Sequence, residues 1–256
     1  ERVLLPLPPR TVNALGEPDF EGEAEVFRSF LDSYCEVHAT RRDQDAQIRE
    51  KWLKHQREYQ IWLAWMSAIP PRLAGLRLHT WPTKSPLLKR LVEADPAASW
   101  YLWGEYGVGK TGLGVGLARR WLEQAEMARA EAQVVYAVLP DALGELRASY
   151  NSQEGSNEGE IIDRLGYCRY LLLDDLGAEG NQGTPWLQDC VYRIVNARHG
   201  HCLPTVFTSN LPLEPVKGKA GLNQRWGQRT ADRIKEMCGP SHVAEVAGPN
   251  LRAWKE

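Results

Sequence analysis

Short apolar runs alternate with amphipathic, helix-forming stretches from about residue 98 onward. The predicted strands are Trp100–Trp103, Gln133–Leu139, Tyr170–Leu173, Leu203–Ser209 and His242–Val246. The predicted helices are Gly109–Gln124, Asp141–Tyr150, a short one after a flexible stretch at Asn151–Gly159, Pro185–Arg198 and Asn223–Met237. Strands that alternate with helices predict an α/β fold, in which helices cover both faces of a parallel sheet.

A different pattern precedes this region. Residues 1–20 are rich in proline and show no periodicity, so we expect an extended lead-in. Residues 21–68 carry apolar side chains at helical spacing, among them the aromatic stripe of Trp52, Tyr59 and Trp62. The prolines after Ile69 end this helical region. The sequence therefore predicts three parts, with the α/β domain at 69–256.

Composition narrows the functional classes. Of the 256 residues, 43% are hydrophobic, which is enough for a buried core. The 31 Lys and Arg nearly balance the 33 Asp and Glu, so the chain has no bulk basic surface for nucleic acid. The five cysteines are scattered, which suits a reducing compartment, and the short cluster at His199, His201 and Cys202 is interpreted as a turn. No apolar run reaches the ~18 residues of a membrane span. We expect a cytoplasmic protein without a membrane partner.

The segment Gly104–Thr111 fits the phosphate-binding pattern G-x-x-x-x-G-K-[ST], after a predicted strand and at the start of a predicted helix. Its glycines let backbone N–H groups converge on phosphate oxygens. Lys110 is predicted to reach the β- and γ-phosphates, and the Thr111 hydroxyl to bind Mg²⁺. The predicted cofactors are ATP or ADP with Mg²⁺. The residues predicted to contact the nucleotide are Gly104, Tyr106, Gly107, Val108, Gly109, Lys110, Thr111 and Gly112.

The same glycines also fit the dinucleotide fingerprint G-x-G-x-x-G, from Gly107 to Gly112. That fingerprint needs an acidic residue about 20 positions later, at the tip of the second strand. The second predicted strand ends only near residue 139, so the phosphate-loop interpretation explains the glycines better.

Two carboxylates follow the buried run Tyr170–Leu173. Asp174 is placed to hold Mg²⁺, and Asp175 occupies the position of a general base that orients the attacking water. Taken alone, Asp-Asp-Leu-Gly is also compatible with a plain turn after a strand. Asn210, at the end of the next strand, is a weaker candidate for an amide directed at the γ-phosphate, since Asn also ends strands for ordinary turn reasons.

The order of these parts resembles the AAA+ branch of P-loop ATPases, and within it the bacterial DnaC/DnaI replicative-helicase loaders, with IstB-type transposition ATPases as relatives. The resemblance covers roughly residues 69–251. It rests on Ile69-Pro70-Pro71-Arg72, on Leu172–Glu179, on Val191–Arg198 followed by Leu203–Asn210, and on Gly227–Ile234.

The resemblance implies roles for further residues. Asn210 would be sensor 1, and Arg233 with Arg229 would reach the γ-phosphate bound by a neighbouring subunit, which gives the catalytic set Lys110, Asp175, Asn210, Arg233 and Arg229. From spacing alone, the two arginines also fit a salt-bridged helix face with Asp232 and Glu236. The usual catalytic Glu is Asp175 here, so we expect slow turnover. Few residues follow the arginine helix, so we expect no C-terminal lid.

The resemblance also implies partners. Arg147 and Tyr150 would contact single-stranded DNA, although a loop over the sheet edge explains them equally well. Residues 21–68 would dock a DnaB-like helicase hexamer, or else pack on the ATPase core. The chain is thus predicted to be an ATP-dependent helicase loader. The other hypotheses are a transposition helper on duplex DNA, a P-loop phosphotransferase and an adaptor that scarcely hydrolyses ATP.

Overall fold

The computed structural model describes residues 46–54, 69–81, 84–124, 134–151, 157–177, 184–216 and 218–251. Chain contacts divide the protein into two units, Glu1–Ala64 and Trp65–Glu256. In the first unit only the helical segment 46–54 is described, in which Ile48 and Trp52 are half-buried. The predicted lead-in and the rest of the predicted helical region lie outside the described residues, so the division into three parts stays a prediction. No helix in the described ranges is long and apolar enough to cross a membrane.

Five parallel strands form the sheet of the second unit, in the spatial order β2-β3-β4-β1-β5. They are β1 (Trp100–Trp103), β2 (Val134–Val138), β3 (Tyr170–Asp174), β4 (Thr205–Ser209) and β5 (Val243–Glu245). The register pairs Val138 with Asp174 and Trp103 with Ser209. The carboxyl ends of these strands therefore meet at one edge of the sheet. The predicted α/β class with a parallel sheet is confirmed.

Eight helices accompany the sheet in the described part of this unit. They are α1 (Pro71–Ala74), α2 (Pro86–Glu93), α3 (Lys110–Gln124), α4 (Leu139–Asn151), α5 (Asn157–Tyr167), α6 (Pro185–Gly200), α7 (Leu222–Trp226) and α8 (Gln228–Cys238). Short 3₁₀ turns lie at Leu78–Thr80 and Pro240–His242. The sequence explains where helix α6 begins. Pro185 is favoured in its first turn, and the Thr184 hydroxyl caps the helix by accepting from Leu187 N.

Two predicted boundaries are wrong. The single helix predicted at Asn223–Met237 is two helices, because Gly227 has φ +86° and leaves the helical region between α7 and α8. Helix α5 begins at Asn157, inside the stretch predicted to be flexible up to Gly159. Strand β1 has the predicted bounds, and the other predicted helices and strands differ from the prediction by at most two residues at either end.

The sheet is covered on both faces, with side chains alternating between the two layers. Leu171, Leu173 and Phe207 face a core built mainly from α4, α5, α6 and α8. A Cβ at Gly114 of α3 would lie 2.7 Å from Leu172 Cδ1, so α3 packs closely on the opposite face. Every residue of β3 and β4 is buried, which explains the continuous apolar run Tyr170–Leu173 of β3 in the sequence.

A buried arginine joins α6 to the sheet. Arg198 has no exposed surface. Its guanidinium donates to Thr205 Oγ1 at 2.6 Å, to Cys168 O at 2.9 Å, to Pro204 O at 2.8 Å and to Leu165 O at 3.0 Å. These acceptors lie in the last turns of α5, in the loops before β3 and β4, and at the first residue of β4, so one side chain fixes the amino ends of these two strands.

We expect Arg198→Met to lower the free energy of unfolding by about 3 kcal/mol, because buried carbonyl and hydroxyl acceptors lose their donor. Urea denaturation followed by tryptophan fluorescence measures this loss. The matched control is Arg193→Met on the same helix. The Arg193 side chain is 46% exposed, and the substitution removes its ion pair with Glu158. The control should cost less than about 1 kcal/mol, and equal losses in the two variants would contradict the role of Arg198.

Candidate nucleotide-binding site

The loop Gly104–Thr111 connects β1 to α3 at the carboxyl edge of the sheet. Gly107 has φ +79°, and a Cβ there would lie 2.0 Å from Asn250 Oδ1. A Cβ at Gly104 would lie 2.4 Å from Val246 O. The glycines are therefore required by the backbone conformation and by the segment that follows β5, in addition to the space that a phosphate needs.

Lys110 is the first residue of α3 and is only 6% exposed. Its ammonium group donates to Gly104 O at 3.0 Å and to Glu105 O at 2.7 Å. The loop thus encloses the ammonium group with its own carbonyls, next to the N-terminus of a helix. A buried cation at the positive end of a helix forms a binding site for phosphate oxygens.

The carboxylate of Asp174, at the end of β3, is the centre of a hydroxyl network. Thr111 Oγ1 donates to Asp174 at 2.9 Å from Oδ1 and 3.1 Å from Oδ2. The Tyr136 hydroxyl donates to Oδ2 at 3.1 Å, and Thr208 Oγ1 donates to Oδ1. Three hydroxyl groups from α3, β2 and β4 therefore hold this one carboxylate.

Burial dominates the electrostatics of this carboxylate. Asp174 is 4% exposed, and burial raises its pKa, while the hydrogen bond from Thr208 lowers it and the nearby Asp175 carboxylate raises it further. Burial and the nearby Asp174 also raise the pKa of Tyr136, so its phenol stays protonated and donates. A buried carboxylate with a raised pKa gains from a cation beside it, which favours the charged form.

The residues fit a magnesium site. The Thr111 hydroxyl and the Asp174 carboxylate converge at hydrogen-bond distance, and oxygen ligands of this kind suit Mg²⁺, which completes its shell with phosphate oxygens and water. No group of three or more His, Cys, Asp or Glu side chains among the described residues forms a metal site by itself. Thr111 and Asp174 would therefore leave coordination positions for water or phosphate oxygens.

Asp175 follows β3 with φ +62°, a left-handed conformation that aspartate tolerates better than most residues. Its N–H donates to Thr208 Oγ1 at 3.0 Å, and Leu176 N donates to Thr208 O at 2.9 Å. Thr208 thus fixes the change of chain direction between Asp174 and Asp175. The side chain of Asp175 is half-buried at the same edge as the phosphate loop.

Asn210 comes directly after β4. Gly104 N donates to Ser209 O at 3.2 Å, which brings the end of β4 beside the phosphate loop. Both polar atoms of the Asn210 side chain are buried, and neither has a hydrogen-bond partner in the described part of the chain. Buried amides are ordinarily paired, so this one is suited to a ligand that binds next to the loop.

No protein-family model matches the chain. The replicative helicase loader DnaI of Bacillus subtilis is 29% identical over 171 residues, which are 64% of this chain and 51% of that protein. The structure of a DnaC helicase loader matches 70% of this chain and 100% of its own, with a TM-score of 0.54 and 22% identity. AMPPCP-bound DnaA from Aquifex aeolicus matches 69% of this chain and 52% of its own, with a TM-score of 0.51 and 16% identity.

This chain resembles the DnaC/DnaI-type helicase loaders. The predicted resemblance is thereby confirmed at the level of sequence, and the structural matches show the AAA+ fold. The matched region spans about half the length of the curated loader.

The two arginines of α8 contact residues of their own chain. Arg233 Nη1 lies 2.8 Å from Glu236 Oε2, and Arg229 Nη2 donates to the Tyr192 hydroxyl at 2.8 Å. No contact among the described residues joins either arginine to the phosphate loop of the same chain. The helix-face pairing expected as the alternative is present for Arg233 and Glu236, whereas Asp232 accepts from Gln228. The role of the arginines in a neighbouring site stays a prediction.

The predicted DNA contacts lie on a separate helix, α4. Arg147 is exposed there, and Tyr150 lies near the helix end, with its side chain outside the described residues. The function of Arg147 and Tyr150 stays a prediction.

Sequence reasoning missed Tyr136, Thr208 and the segment after β5. Leu251 N donates to Gly107 O at 2.9 Å, so this segment covers the phosphate loop. A cavity of about 220 Å³ lies beside the loop, and its mainly apolar lining includes Trp81, Leu88, Val108, Leu113 and Leu251. Strand alternation could have placed Tyr136 near Asp174, since Val138 pairs with Asp174 and Tyr136 is two residues earlier on the same face. Nothing in the sequence indicated the contact with residues 246–251.

We expect Asp175→Asn to lower ATP turnover by at least about 100-fold, because the amide cannot accept the proton of the attacking water. Asparagine tolerates the left-handed conformation, and the Kd for ATP should stay within about threefold. Single-turnover hydrolysis and equilibrium nucleotide binding measure the two effects. The control is Asp189→Asn, an exposed position on α6 that should leave both unchanged. Turnover of Asp175→Asn close to that of the parent protein would exclude Asp175 as the general base.

Proposed function

We propose that this chain is an ATP-dependent loader, which binds a hexameric replicative helicase and delivers it onto single-stranded DNA. The observation that carries the proposal is the sequence similarity to the DnaI loader, which extends over 64% of this chain. The site adds chemical support, since Lys110, Thr111 and Asp174 converge at the edge of the sheet where that chemistry requires them. The transposition helper hypothesis gains no comparable support from any described feature.

In this proposal the site binds ATP with Mg²⁺. Lys110 and the N-terminus of α3 would hold the phosphates, and Thr111 and Asp174 would hold the Mg²⁺ ion. Bound Mg²⁺ neutralises charge that develops on the phosphates. Asp175 orients the attacking water, and the buried amide of Asn210 donates to it or to the terminal phosphate. Since aspartate is shorter than the usual glutamate, turnover is slow.

The site is completed by a second copy of the chain. Arg233, with Arg229 one turn earlier on α8, supplies positive charge to the phosphate bound by the neighbour. An arginine provided in trans is worth about 10³- to 10⁵-fold in rate for related phosphoryl transfers. Hydrolysis is then coupled to assembly, and DNA or the helicase acts by ordering that assembly.

Single-stranded DNA contacts the assembly through Arg147 and Tyr150. Arginine supplies positive charge to the DNA backbone and tyrosine a face on which a base stacks. A nearly neutral chain holds a strand in this way when several copies line one channel. Residues 21–68 dock the helicase, and the ATPase domain at 69–256 binds the nucleotide and DNA.

Native mass spectrometry tests the loader function on the full chain, mixed with the replicative helicase of the same organism in ATP and in ADP. A complex of defined stoichiometry is expected in at least one of these states. Lys110→Ala should remove the nucleotide dependence of the complex, because it removes the phosphate ligand. Asp189→Asn serves as the control. Absence of a complex in both nucleotides would contradict the proposal, and assembly on duplex DNA without helicase would favour the transposition helper.

Fluorescence anisotropy with labelled oligo-dT tests the DNA contacts. We expect Arg147→Ala to weaken binding and to reduce the slope of log K against log salt by about 0.7, the value for one phosphate contact on a single strand. Tyr150→Leu should weaken binding at least about fivefold with little change of slope, because stacking involves no counterion release. Arg193→Ala, an exposed arginine on α6, is the matched control. An unchanged slope in Arg147→Ala would exclude its phosphate contact.

A further inference from the structure

Five polar side chains form a connected surface cluster where α6 and α8 pack together. This arginine cluster consists of Tyr192 and His199 on α6, and Arg229, Arg233 and Glu236 on α8. From the sequence, only the two arginines were assigned a role. Tyr192 lies within Val191–Arg198, one of the segments that carry the resemblance, and His199 lies in the predicted turn.

Tyr192 provides a platform for Arg229. The Arg229 Cζ lies 4.3 Å from the centre of the Tyr192 ring, and Nη2 donates to the Tyr192 hydroxyl at 2.8 Å. Because arginine only donates, that hydroxyl accepts from Arg229 and directs its own proton to Asn196 Oδ1, 3.3 Å away. The ring and the hydroxyl together restrict the guanidinium to one orientation.

Glu236 holds the second arginine. Its Oε2 atom lies 2.8 Å from Arg233 Nη1 and also 2.8 Å from His199 Nε2. Hydrogen bonding to Glu236 chiefly, and to the Tyr192 hydroxyl to a smaller extent, raises the pKa of Arg233. Arg233 therefore already has an anionic partner in the single chain.

We propose that Tyr192 is a positioning residue for the trans-acting arginines, and that Glu236 occupies Arg233 until the phosphate of a neighbouring subunit replaces it. The inference rests on the proposed assembly through α8. The Arg233 and Glu236 side chains are 36% and 53% exposed, so their ion pair is weak and a nucleotide phosphate of higher charge displaces the carboxylate. The tyrosine contact with Arg229 persists through this exchange, which keeps the pair of arginines aligned.

The test separates the subunit that donates arginines from the subunit that hydrolyses ATP. Lys110→Ala supplies arginines without binding nucleotide, and Arg233→Ala binds nucleotide without supplying Arg233. Their mixture, with oligo-dT present, should hydrolyse ATP faster than either variant alone. Absence of this complementation contradicts the proposed assembly itself, and is therefore distinguishable from failure of the inference.

Tyr192→Leu is then added to the Lys110→Ala donor. We expect the maximal turnover of the mixture to fall about threefold or more, because Arg229 loses its platform. The half-saturating donor concentration should change little, since a positioning residue affects the rate more than the assembly. Tyr192→Phe keeps the ring and should recover most of the loss. The acceptor is the Arg233→Ala subunit, which hydrolyses the ATP. Tyr192→Leu on this acceptor measures any contribution of Tyr192 to folding and to nucleotide binding.

Glu236→Gln on the donor should instead raise turnover about 2- to 5-fold, the range expected for releasing one exposed ion pair. Complementation that is intact and insensitive to donor Tyr192→Leu would overturn the role of Tyr192, as would equal losses on donor and acceptor. Turnover that is unchanged or lowered by donor Glu236→Gln would overturn the exchange at Arg233.

Discussion

The rest of the nucleotide site depends on one buried carboxylate, that of Asp174. It receives hydrogen bonds from Thr111 of α3, Tyr136 of β2 and Thr208 of β4, and so connects the phosphate-loop helix to three neighbouring strands. Burial penalises its charge, and the hydroxyl donors only partly offset that penalty. A cation at this position relieves the remaining cost. The fold therefore maintains an unfavourable charge at the place proposed for the metal ion of a nucleotide.

Thr208 has a second function within the same network. Its hydroxyl accepts from Asp175 N, and its carbonyl accepts from Leu176 N, which stabilises the left-handed conformation at Asp175. Strained backbone of this kind persists only where surrounding contacts fix it. Thr208 thus binds the Asp174 carboxylate and also fixes the backbone of Asp175, the proposed general base. Asn210, two residues later, contributes to the same region a buried amide that has no hydrogen-bond partner among the residues the structure describes.

The arginine cluster differs from the nucleotide site in the strength of its contacts. Arg198, with no exposed surface and four oxygen acceptors, makes permanent contacts that hold the amino ends of β3 and β4. Arg233 and Glu236 are partly exposed, so water competes with their ion pair. A weak, exposed ion pair suits Arg233, which is proposed to exchange its partner on assembly. The buried hydrogen bonds of Arg198 suit a side chain with a fixed structural role.

The sequence by itself determined the parallel α/β architecture, the phosphate loop and the position of Asp174, because each depends on local periodicity and on spacing within a short segment. The similarity to helicase loaders was likewise visible in the motifs. Only the tertiary structure placed Tyr136 and Thr208 on Asp174, Leu251 on Gly107, and Tyr192 beside Arg229. These contacts join residues 34 to 144 positions apart, among them 38 for Tyr136 and 37 for Tyr192. The break at Gly227 also escaped prediction, since a positive φ depends on how α7 and α8 pack and not on glycine alone.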